Sequence, residues 1–329
     1  MAARTAIITG ALGQDGSLLA ELLLSRGYRV VGVIRAGSVP PVEGPLAAVV
    51  FVVVDLADAA AVRLLLEQWQ PDELYHLAAF HHSSADNSVS AALAGKDAML
   101  STNFLATKTL AFALVETQLA CHLVFASSSQ VFTAVEMSHE VSERSPRQPS
   151  TFYGHVKSWS MDLLAFLRDE SGLRASAAIL FNHESPRRGA QFVSRKITCA
   201  AAQAAAGHCP ALKLHNIGSR VDWSSARDVV DALSLMGRSD APRDYVVASG
   251  VLHSVRDLLQ AAFGNVGLDW TKFATFDEDR VTPALVGRSR ALEESLGWRR
   301  AMRFEDMVSE MVAHDLSVYA NQKAYLSRP

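Results

Sequence analysis

The chain has 329 residues, of which 49% are hydrophobic and 20% charged, so it can build a large apolar core. A formal net charge of −3 gives no electrostatic reason to expect nucleic acid or an anionic membrane as a partner. Three scattered cysteines fit neither a disulfide framework nor a zinc site, and the longest apolar run, Leu46–Val54, is too short to span a membrane. The N-terminus leads directly into a strand pattern rather than a signal peptide, so we expect a cytoplasmic protein.

The segment from Thr5 to Gly16 predicts a strand, a glycine-rich turn and a helix. The apolar run Ala6–Ile8 is followed by glycines at three-residue steps, and an apolar helical pattern begins at Ser17. Glycines let backbone N–H groups approach a phosphate, and the helix N-terminus adds partial positive charge at that point. The pattern indicates a dinucleotide site that begins with Thr9, Gly10, Gly13, Gln14, Asp15 and Gly16.

The end of the second apolar run bears on the choice of cofactor. Arg35 follows Val30–Ile34, about twenty residues after the glycines. An acidic residue there would hold the ribose hydroxyls of NAD, whereas an arginine favours the additional phosphate of NADP. The alternative is a solvated arginine after a strand. We predict NADP rather than NAD.

Strand-like runs alternate with helical patterns along most of the chain. The helical patterns include Leu18–Leu24, Ala60–Gln68 and Phe104–Val115. The strands are predicted at Ala6–Ile8, Val30–Ile34, Ala47–Val54, Glu73–Leu77, His122–Ala126, Ala175–Phe181 and Tyr245–Ala248. This alternation predicts an α/β fold with a doubly wound parallel Rossmann sheet, and the apolar run Ala47–Val54 predicts a buried parallel strand.

Residues at the ends of the third and fourth strands are further candidates for the cofactor site. Asp55 and Leu56 are placed to contact an adenine edge. Leu77, Ala78 and Ala79 are small or apolar, so a backbone could pass close to a cofactor. Plain packing at strand ends explains these residues equally well.

The character of the chain changes after Phe181. The segment 182–189, NHESPRRG, is polar and rich in loop-forming residues, and helices dominate from about Ser254 onward. We predict a Rossmann domain at residues 1–181, with a later return segment at about 216–249. A smaller mixed α/β C-terminal lobe that binds the substrate would comprise residues 182–215 and 250–329. Ligands are expected between the lobes, at the carboxyl ends of the strands.

A tyrosine and a lysine four residues apart form the predicted catalytic pair. Tyr153 and Lys157 share one face at the start of a predicted helix. A lysine ammonium beside a phenol lowers the pKa of the phenol, so the tyrosine could exchange a proton near neutral pH. Ser128, at the end of the fifth strand, could hydrogen-bond a substrate oxygen. Together with a nicotinamide cofactor, these residues indicate a hydride-transfer site.

The sequence resembles the extended short-chain dehydrogenase/reductase family and, within it, the GDP-mannose 4,6-dehydratase subgroup. The likeness covers nearly the whole chain and is carried by ITGALGQDGSLLAELLLSRGY, YGHVK, ILFNHESPRRGAQFVSRKI, VDWSSARDVV and ASGVLHSVRDL. The resemblance implies NADP, a GDP-sugar substrate and a homodimer or homotetramer paired through long helices, here Ala91–Val115 and Tyr153–Arg168. It also implies that Ser128 occupies the position of the catalytic threonine.

The resemblance implies further binding residues. For the cofactor these are Tyr153, Lys157, Leu180, Asn182, His183 and Arg188. For the nucleotide sugar they are His82, Ser128, Gln130, Asn182, Arg187, Val193, Lys196, Arg220 and Arg280.

The chain departs from the subgroup at the fifth strand and at the diphosphate site. The subgroup has Ser-Thr-Ser-Glu where this chain has Ser127-Ser128-Ser129-Gln130, and the glutamate is the base that takes the C5 proton. An amide has no basic atom near neutral pH, so Gln130 cannot take that proton. The Lys-Arg-Asp-Trp motif is replaced by Arg220-Val221-Asp222-Trp223, and the loop after Arg35-Ala36 is short, which puts tetramer assembly in doubt.

Three functional interpretations follow. In the first, the protein is a GDP-mannose 4,6-dehydratase in which His82, His155 or Glu184 supplies the base. In the second, oxidation or reduction at C4 is retained and elimination is lost, which gives a 4-ketosugar reductase or a C4 epimerase on a GDP-sugar. In the third, the chain is a cofactor-binding paralogue without turnover, although a purely binding protein would not need the Tyr153–Lys157 pair.

Overall fold

The computed structural model describes residues 3–80 and 89–326. The helices are α1 (Gln14–Ser25), α2 (Ala59–Trp69), α3 (Val89–Met99), α4 (Ala106–Thr117), α5 (Phe152–Ser171), α6 (Val193–Ala205), α7 (Ala226–Gly237), α8 (Val255–Gly264), α9 (Arg290–Leu296) and α10 (Phe304–Leu326). A π-helical turn, Leu100–Leu105, joins α3 to α4, and short 3₁₀ turns occur at Ser129–Val131 and Trp270–Lys272.

The strands are β1 (Thr5–Thr9), β2 (Arg29–Ile34), β3 (Val50–Val53), β4 (Glu73–His76), β5 (His122–Ser128), β6 (His139–Val141), β7 (Ala175–Leu180), β8 (Asn182–Glu184), β9 (Leu212–Asn216), β10 (Arg220–Ser225), β11 (Tyr245–Val247), β12 (Leu252–Ser254), β13 (Ala274–Glu278) and β14 (Leu285–Gly287). The predicted strands of the Rossmann sheet are thus confirmed, with boundaries that differ by a few residues.

The central sheet is parallel, with seven strands in the order β11-β7-β5-β4-β1-β2-β3. The strand order reverses between β1 and β4, and ligands bind at such a switch point, outside the carboxyl ends of the strands. The glycine turn after β1 and the segment after β4 therefore lie side by side. The doubly wound Rossmann fold predicted from the sequence is confirmed.

The expectation that Ala47–Val54 forms a buried strand is wrong in two respects. The chain first makes a turn, in which the Val49 N–H donates to Leu46, and the strand begins only at Val50. Since β3 is the last strand of the sheet, it has a neighbour on one side only. Val50 and Val53 are consequently 42% and 60% exposed.

Hydrophobic cores fill both faces of the central sheet. On one face, Leu66, Leu110 and Leu164 of α2, α4 and α5 pack together. On the other face, α1 and α7 pack with Leu292 of α9 and with Trp298, although the sequence assigned both residues to the second lobe. The boundaries of the two lobes stay a prediction.

Beyond the central sheet, α6, α8 and α10 form a further core. The apolar stripe of α10, from Phe304 to Leu316, packs against α6 and α8, which confirms its interpretation as a packing surface. Small sheets accompany this core: β12-β10-β8, β13-β9 and β14-β6. Asp222 of β10 links β10 to the segment after β11 and to β14. Its carboxylate accepts hydrogen bonds from the backbone N–H groups of Ser249, Gly250 and Gly287.

The helical segment Leu93–Thr117 is long and apolar enough to cross a membrane by length and composition alone. In this structure it contains the π-helical turn, and α4 packs against α2 and α5. A long helix in the core of a protein passes the same test. Leu110, Ala111 and Leu114 of this segment lie in the core on one face of the central sheet.

Candidate active site

The glycine-rich turn after β1 is packed so closely that side chains are excluded. Gly10 has φ +69°, and a Cβ atom at this position would lie 2.9 Å from the Ala78 backbone nitrogen. A Cβ atom at Gly16 would lie 2.3 Å from the Gly10 carbonyl oxygen. Glycine is therefore required where the turn meets the end of β4 and the start of α1.

A cavity of about 790 Å³ opens beside this turn. Its lining includes eight of the residues predicted for the cofactor: Gly10, Gly13, Arg35, Asp55, Leu56, Leu77, Ala78 and Ala79. The cavity joins the glycine turn to the ends of β2, β3 and β4, and Arg35 is exposed at its edge. This arrangement fits a dinucleotide with its phosphates at the turn and its adenosine toward Arg35.

Thr9 was predicted to bind the cofactor, but its side chain does not line the cavity. Its side chain is completely buried, and its hydroxyl lies 2.8 Å from His76 Nδ1 and accepts a hydrogen bond from the Ala78 N–H at 3.1 Å. Burial lowers the pKa of His76 to about 3, with a further contribution from the Lys157 charge. His76 is therefore neutral, and Thr9 joins β1 to β4 underneath the cavity rather than lining it.

Asp15 and His183 form a buried pair between the glycine turn and β8. His183 Nε2 donates to Asp15 Oδ2 at 2.9 Å, and Nδ1 donates to the Phe181 carbonyl at 2.7 Å, so both ring nitrogens face acceptors. Burial acts to lower the pKa of His183, but the Asp15 charge and hydrogen bond outweigh it and raise the pKa. For Asp15, burial acts to raise the pKa, and His183 outweighs it in turn. Two acceptors around the His183 ring and the raised pKa both favour the imidazolium form beside the Asp15 carboxylate.

We expect this pair to make stability depend on pH. Because the folded pKa of His183 is raised, its contribution is complete below ~6.5 and is lost as pH rises through the folded value. Because the folded pKa of Asp15 is lowered, its contribution is complete above ~3.9 and is lost as pH falls. In urea unfolding from about pH 5 to about pH 9, the stability difference between wild type and His183→Gln should shrink as pH rises. A constant difference would contradict the charged pair.

Gln14 and Arg188 extend the contacts around this pair. Gln14 Nε2 donates to the His183 carbonyl at 3.2 Å, and its Oε1 accepts from Ser185. The Arg188 guanidinium lies 3.6 Å from the Phe192 ring centroid, with its Nε 3.4 Å from Glu184. Gln14, Asp15, His183 and Arg188 are thus brought together, whereas Leu180 is buried at the end of β7 and Asn182 is exposed.

Tyr153 and Lys157 lie on the first turns of α5, as the spacing predicts. Lys157 is 1% exposed, and its Nζ donates to the Ala126 carbonyl at 2.7 Å and lies 5.6 Å from the Tyr153 ring centroid. Burial lowers the pKa of Lys157 to about 7. Burial also raises the pKa of Tyr153 to about 12, although the Arg188 charge acts against it. The expected lowering of the phenol pKa is therefore not found in this structure, because burial outweighs the Arg188 charge.

Ser128 and Gln130 lie beside this pair at the end of β5. The Ser128 hydroxyl accepts a hydrogen bond from the Gln130 N–H at 3.2 Å. Gln130 also touches α5, because a Cβ atom at Gly154 would lie 2.1 Å from the Gln130 carbonyl oxygen. The structure thus brings Ser128, Gln130, Tyr153 and Lys157 together, as predicted.

The comparisons with known proteins decide the family. The family model for GDP-mannose 4,6 dehydratase matches residues 7–311. GDP-mannose 4,6 dehydratase 1 of Arabidopsis thaliana is 35% identical over 97% of this chain and 92% of its own, and the Homo sapiens enzyme is 30% identical over 95% and 91%. The chain belongs to the GDP-mannose 4,6-dehydratase family.

Two solved structures share the fold of this family member. UDP-glucose 4-epimerase of Thermus thermophilus, in complex with NAD, aligns with TM-score 0.79 and 23% identity over 94% of this chain and 98% of its own. RMD from Pseudomonas aeruginosa, complexed with NADPH, aligns with TM-score 0.74 and 21% identity over 96% and 99%. At these identities the likeness shows the fold alone.

Several residues predicted to bind the nucleotide sugar have other partners in this family member. Arg187 pairs with Glu21 and Ser17 of α1, and Arg220 donates to the Met137 carbonyl. Arg280 is 71% exposed and pairs with Glu278. Val193 is half-buried at the start of α6, Lys196 is exposed, and His82 lies outside the described residues. The sugar-binding assignments of these six residues stay predictions.

The two described candidates for a replacement base lie in contrasting environments. Glu184 is 2% exposed, accepts a hydrogen bond from Ser194 at 2.5 Å, and has its pKa raised by burial. His155 is exposed on α5, 6.0 Å from the Trp159 ring. His82, the third candidate, lies outside the described residues.

Asn103 holds a segment beside the candidate site in place, and the sequence did not reveal this role. It lies in the π-helical turn and is completely buried. Its side chain accepts from the Phe80 N–H and donates to the Phe80 carbonyl, both at 2.9 Å, and its own carbonyl accepts from Ser160 of α5. Asn103 therefore fixes the segment after β4 relative to α5. Ser101 and Thr102 of the same turn line the cofactor cavity and were also missed.

Proposed function

We propose that this protein is an NADP-dependent GDP-mannose 4,6-dehydratase. The observation that carries the proposal is the match to the Arabidopsis thaliana enzyme over 97% of the chain. The family model matches residues 7–311, a range that includes Ser128, Tyr153 and Lys157. The glycine turn and the cavity beside it supply a binding site for the cofactor. When bound there, the nicotinamide would supply the hydride acceptor for oxidation at C4 of the hexose and the hydride donor for reduction at C6.

The residues of the chain would provide positioning and proton transfer. The Tyr153 phenol oxygen takes the proton of the C4 hydroxyl, and the Ser128 hydroxyl positions the same oxygen. A protonated Lys157 beside the Tyr153 ring would act against the rise in the phenol pKa that burial causes. The carbonyl formed at C4 acidifies the C5 proton, and loss of this proton with the C6 hydroxyl releases water. Hydride delivery to C6 is then balanced by a proton taken up at C5, which comes from the solvent.

Arg35 supports NADP as the cofactor, because it borders the adenosine end of the cavity. Arg35→Ala should raise the Kd for NADPH by ~10–100-fold and leave the Kd for NADH nearly unchanged, since a charged hydrogen bond to phosphate is lost. Arg29→Ala is the matched control, because Arg29 lies at the other end of β2, over the Trp69 ring. Equal weakening of NADPH and NADH by Arg35→Ala would contradict the assignment.

Gln130 favours a second candidate function. An amide cannot take the C5 proton, so the chain would carry out redox chemistry at C4 without elimination, as a 4-ketosugar reductase or a C4 epimerase on a GDP-sugar. The hydride-transfer residues Ser128, Tyr153 and Lys157 serve this chemistry equally well.

Incubation with GDP-mannose and NADP in deuterated water distinguishes the two candidates. Loss of water with deuterium in the product, measured by mass spectrometry of the sugar nucleotide, is the result expected for the dehydratase. Unchanged GDP-mannose, from protein that binds NADP, would overturn the dehydratase proposal. The second candidate then predicts oxidation of NADPH by GDP-4-keto-6-deoxymannose.

We also propose that the protein is a homo-oligomer. The helices α4 and α5 carry the exposed apolar side chains Phe112, Trp159 and Phe166. A second copy of the chain could cover these side chains. Analytical ultracentrifugation of the purified protein would give the number of subunits in the oligomer.

A further inference from the structure

The Gln130 amide is held in one orientation by Thr151. The Thr151 hydroxyl caps α5 by accepting a hydrogen bond from the Gly154 N–H at 3.0 Å. The same hydroxyl donates its single proton to Gln130 Oε1 at 2.9 Å. Because Oε1 faces this donor, Nε2 is the amide atom directed elsewhere.

The backbone of Gln130 contacts the predicted catalytic residues and their neighbours. The backbone N–H of Gln130 donates to Ser128 Oγ, and its carbonyl is pressed against Gly154, the neighbour of Tyr153. Within residues 3–80 and 89–326, no acceptor is found for the Gln130 Nε2 group, and Gln130 as a whole is half-buried. The two N–H groups of Nε2 belong to a residue that contacts both Ser128 and the first turn of α5.

We propose that Gln130 is a specificity-determining residue that donates a hydrogen bond from Nε2 to an oxygen of the substrate's hexose, and that Thr151 is the positioning residue for this donor. The proposal rests on the proposed function, because it takes a nucleotide sugar as the ligand of this site. The preferred substrates are hexoses with a hydroxyl or carbonyl oxygen next to the reacting carbon. The Gln130 amide donates a hydrogen bond to this oxygen but does not transfer a proton to it.

The proposal is tested by calorimetry on the protein with NADP bound. Two Kd values are measured for each variant, one for GDP-mannose and one for GDP. Gln130→Met keeps the length of the side chain and removes the donor, so the Kd for GDP-mannose should rise by ~3–10-fold. The Kd for GDP, which has no hexose, should not change. Thr151→Val should weaken GDP-mannose binding similarly, whereas Thr151→Ser, which keeps the hydroxyl, should bind like wild type. Thermal unfolding of each variant confirms that α5 remains folded.

The outcomes separate this inference from the proposed function. If wild type binds GDP-mannose and Gln130→Met binds it equally well, the hydrogen bond from Gln130 is overturned and the proposed function stands. If Gln130→Met and Thr151→Val weaken GDP and GDP-mannose to the same extent, the effect is structural and the inference also fails. If wild type binds neither GDP-mannose nor GDP, the proposed function itself fails, and the inference with it.

Discussion

Replacing Tyr153 with phenylalanine is expected to slow turnover of GDP-mannose by ~10²–10⁴, the usual contribution of a positioned general acid or base. The variant lacks the phenol oxygen that exchanges a proton with the substrate. It keeps the ring beside Lys157, so the fold and the cofactor cavity should be retained. Steady-state rates, together with the Kd for NADPH, measure the effect.

Tyr28→Phe is the matched control for the loss of a phenol hydroxyl. Tyr28 precedes β2 and donates a hydrogen bond to Glu73 at 3.0 Å, at the amino ends of the strands and away from the active site. This variant should retain the wild-type rate. A Tyr153→Phe variant with near wild-type turnover and unchanged NADPH binding would remove Tyr153 from the mechanism.

Introducing a carboxylate by Gln130→Glu is expected to raise the rate of water loss from GDP-mannose by ~10²–10⁴. The new carboxylate would accept the hydrogen bond of Thr151 and lie close to the N-terminus of α5, and both favour its ionised form. It could then take the C5 proton, which the C4 carbonyl acidifies, while the C6 hydroxyl leaves as water. The increase in the rate of water loss is measured as the amount of deuterium incorporated into the sugar nucleotide during an incubation of fixed length.

Gln130→Met is the control for this experiment, because it removes the amide without adding a base. It should give no gain in elimination. If Gln130→Glu eliminates water no faster than wild type, another group already supplies the base, or the side chain does not reach C5. Either result would contradict the importance assigned to position 130.

The sequence predicts the features that arise from contiguous residues. The glycine turn from Gly10 to Gly16 and the helical pair Tyr153 and Lys157 have local spacing rules, so their structures follow from short segments. The alternation of apolar strands and helices was sufficient for the parallel sheet, because each strand carries its own signal.

The features that were missed depend on contacts between distant segments. His183 meets Asp15 across 168 positions, and Thr151 meets Gln130 across 21, so no local pattern reveals either contact. The position of β3 at the sheet edge is a property of the strand order, which an apolar run does not encode. The raised pKa of Tyr153 likewise comes from burial within the assembled fold.

The central claim is that this chain oxidises a GDP-hexose through Tyr153. A single-turnover experiment tests it most directly, by mixing the protein with NADP and GDP-mannose and following the absorbance of the reduced nicotinamide. We predict a transient rise in this absorbance for wild type, which decays as the hydride is returned at C6, and no rise for Tyr153→Phe. No rise for wild-type protein with both ligands bound would contradict the claim.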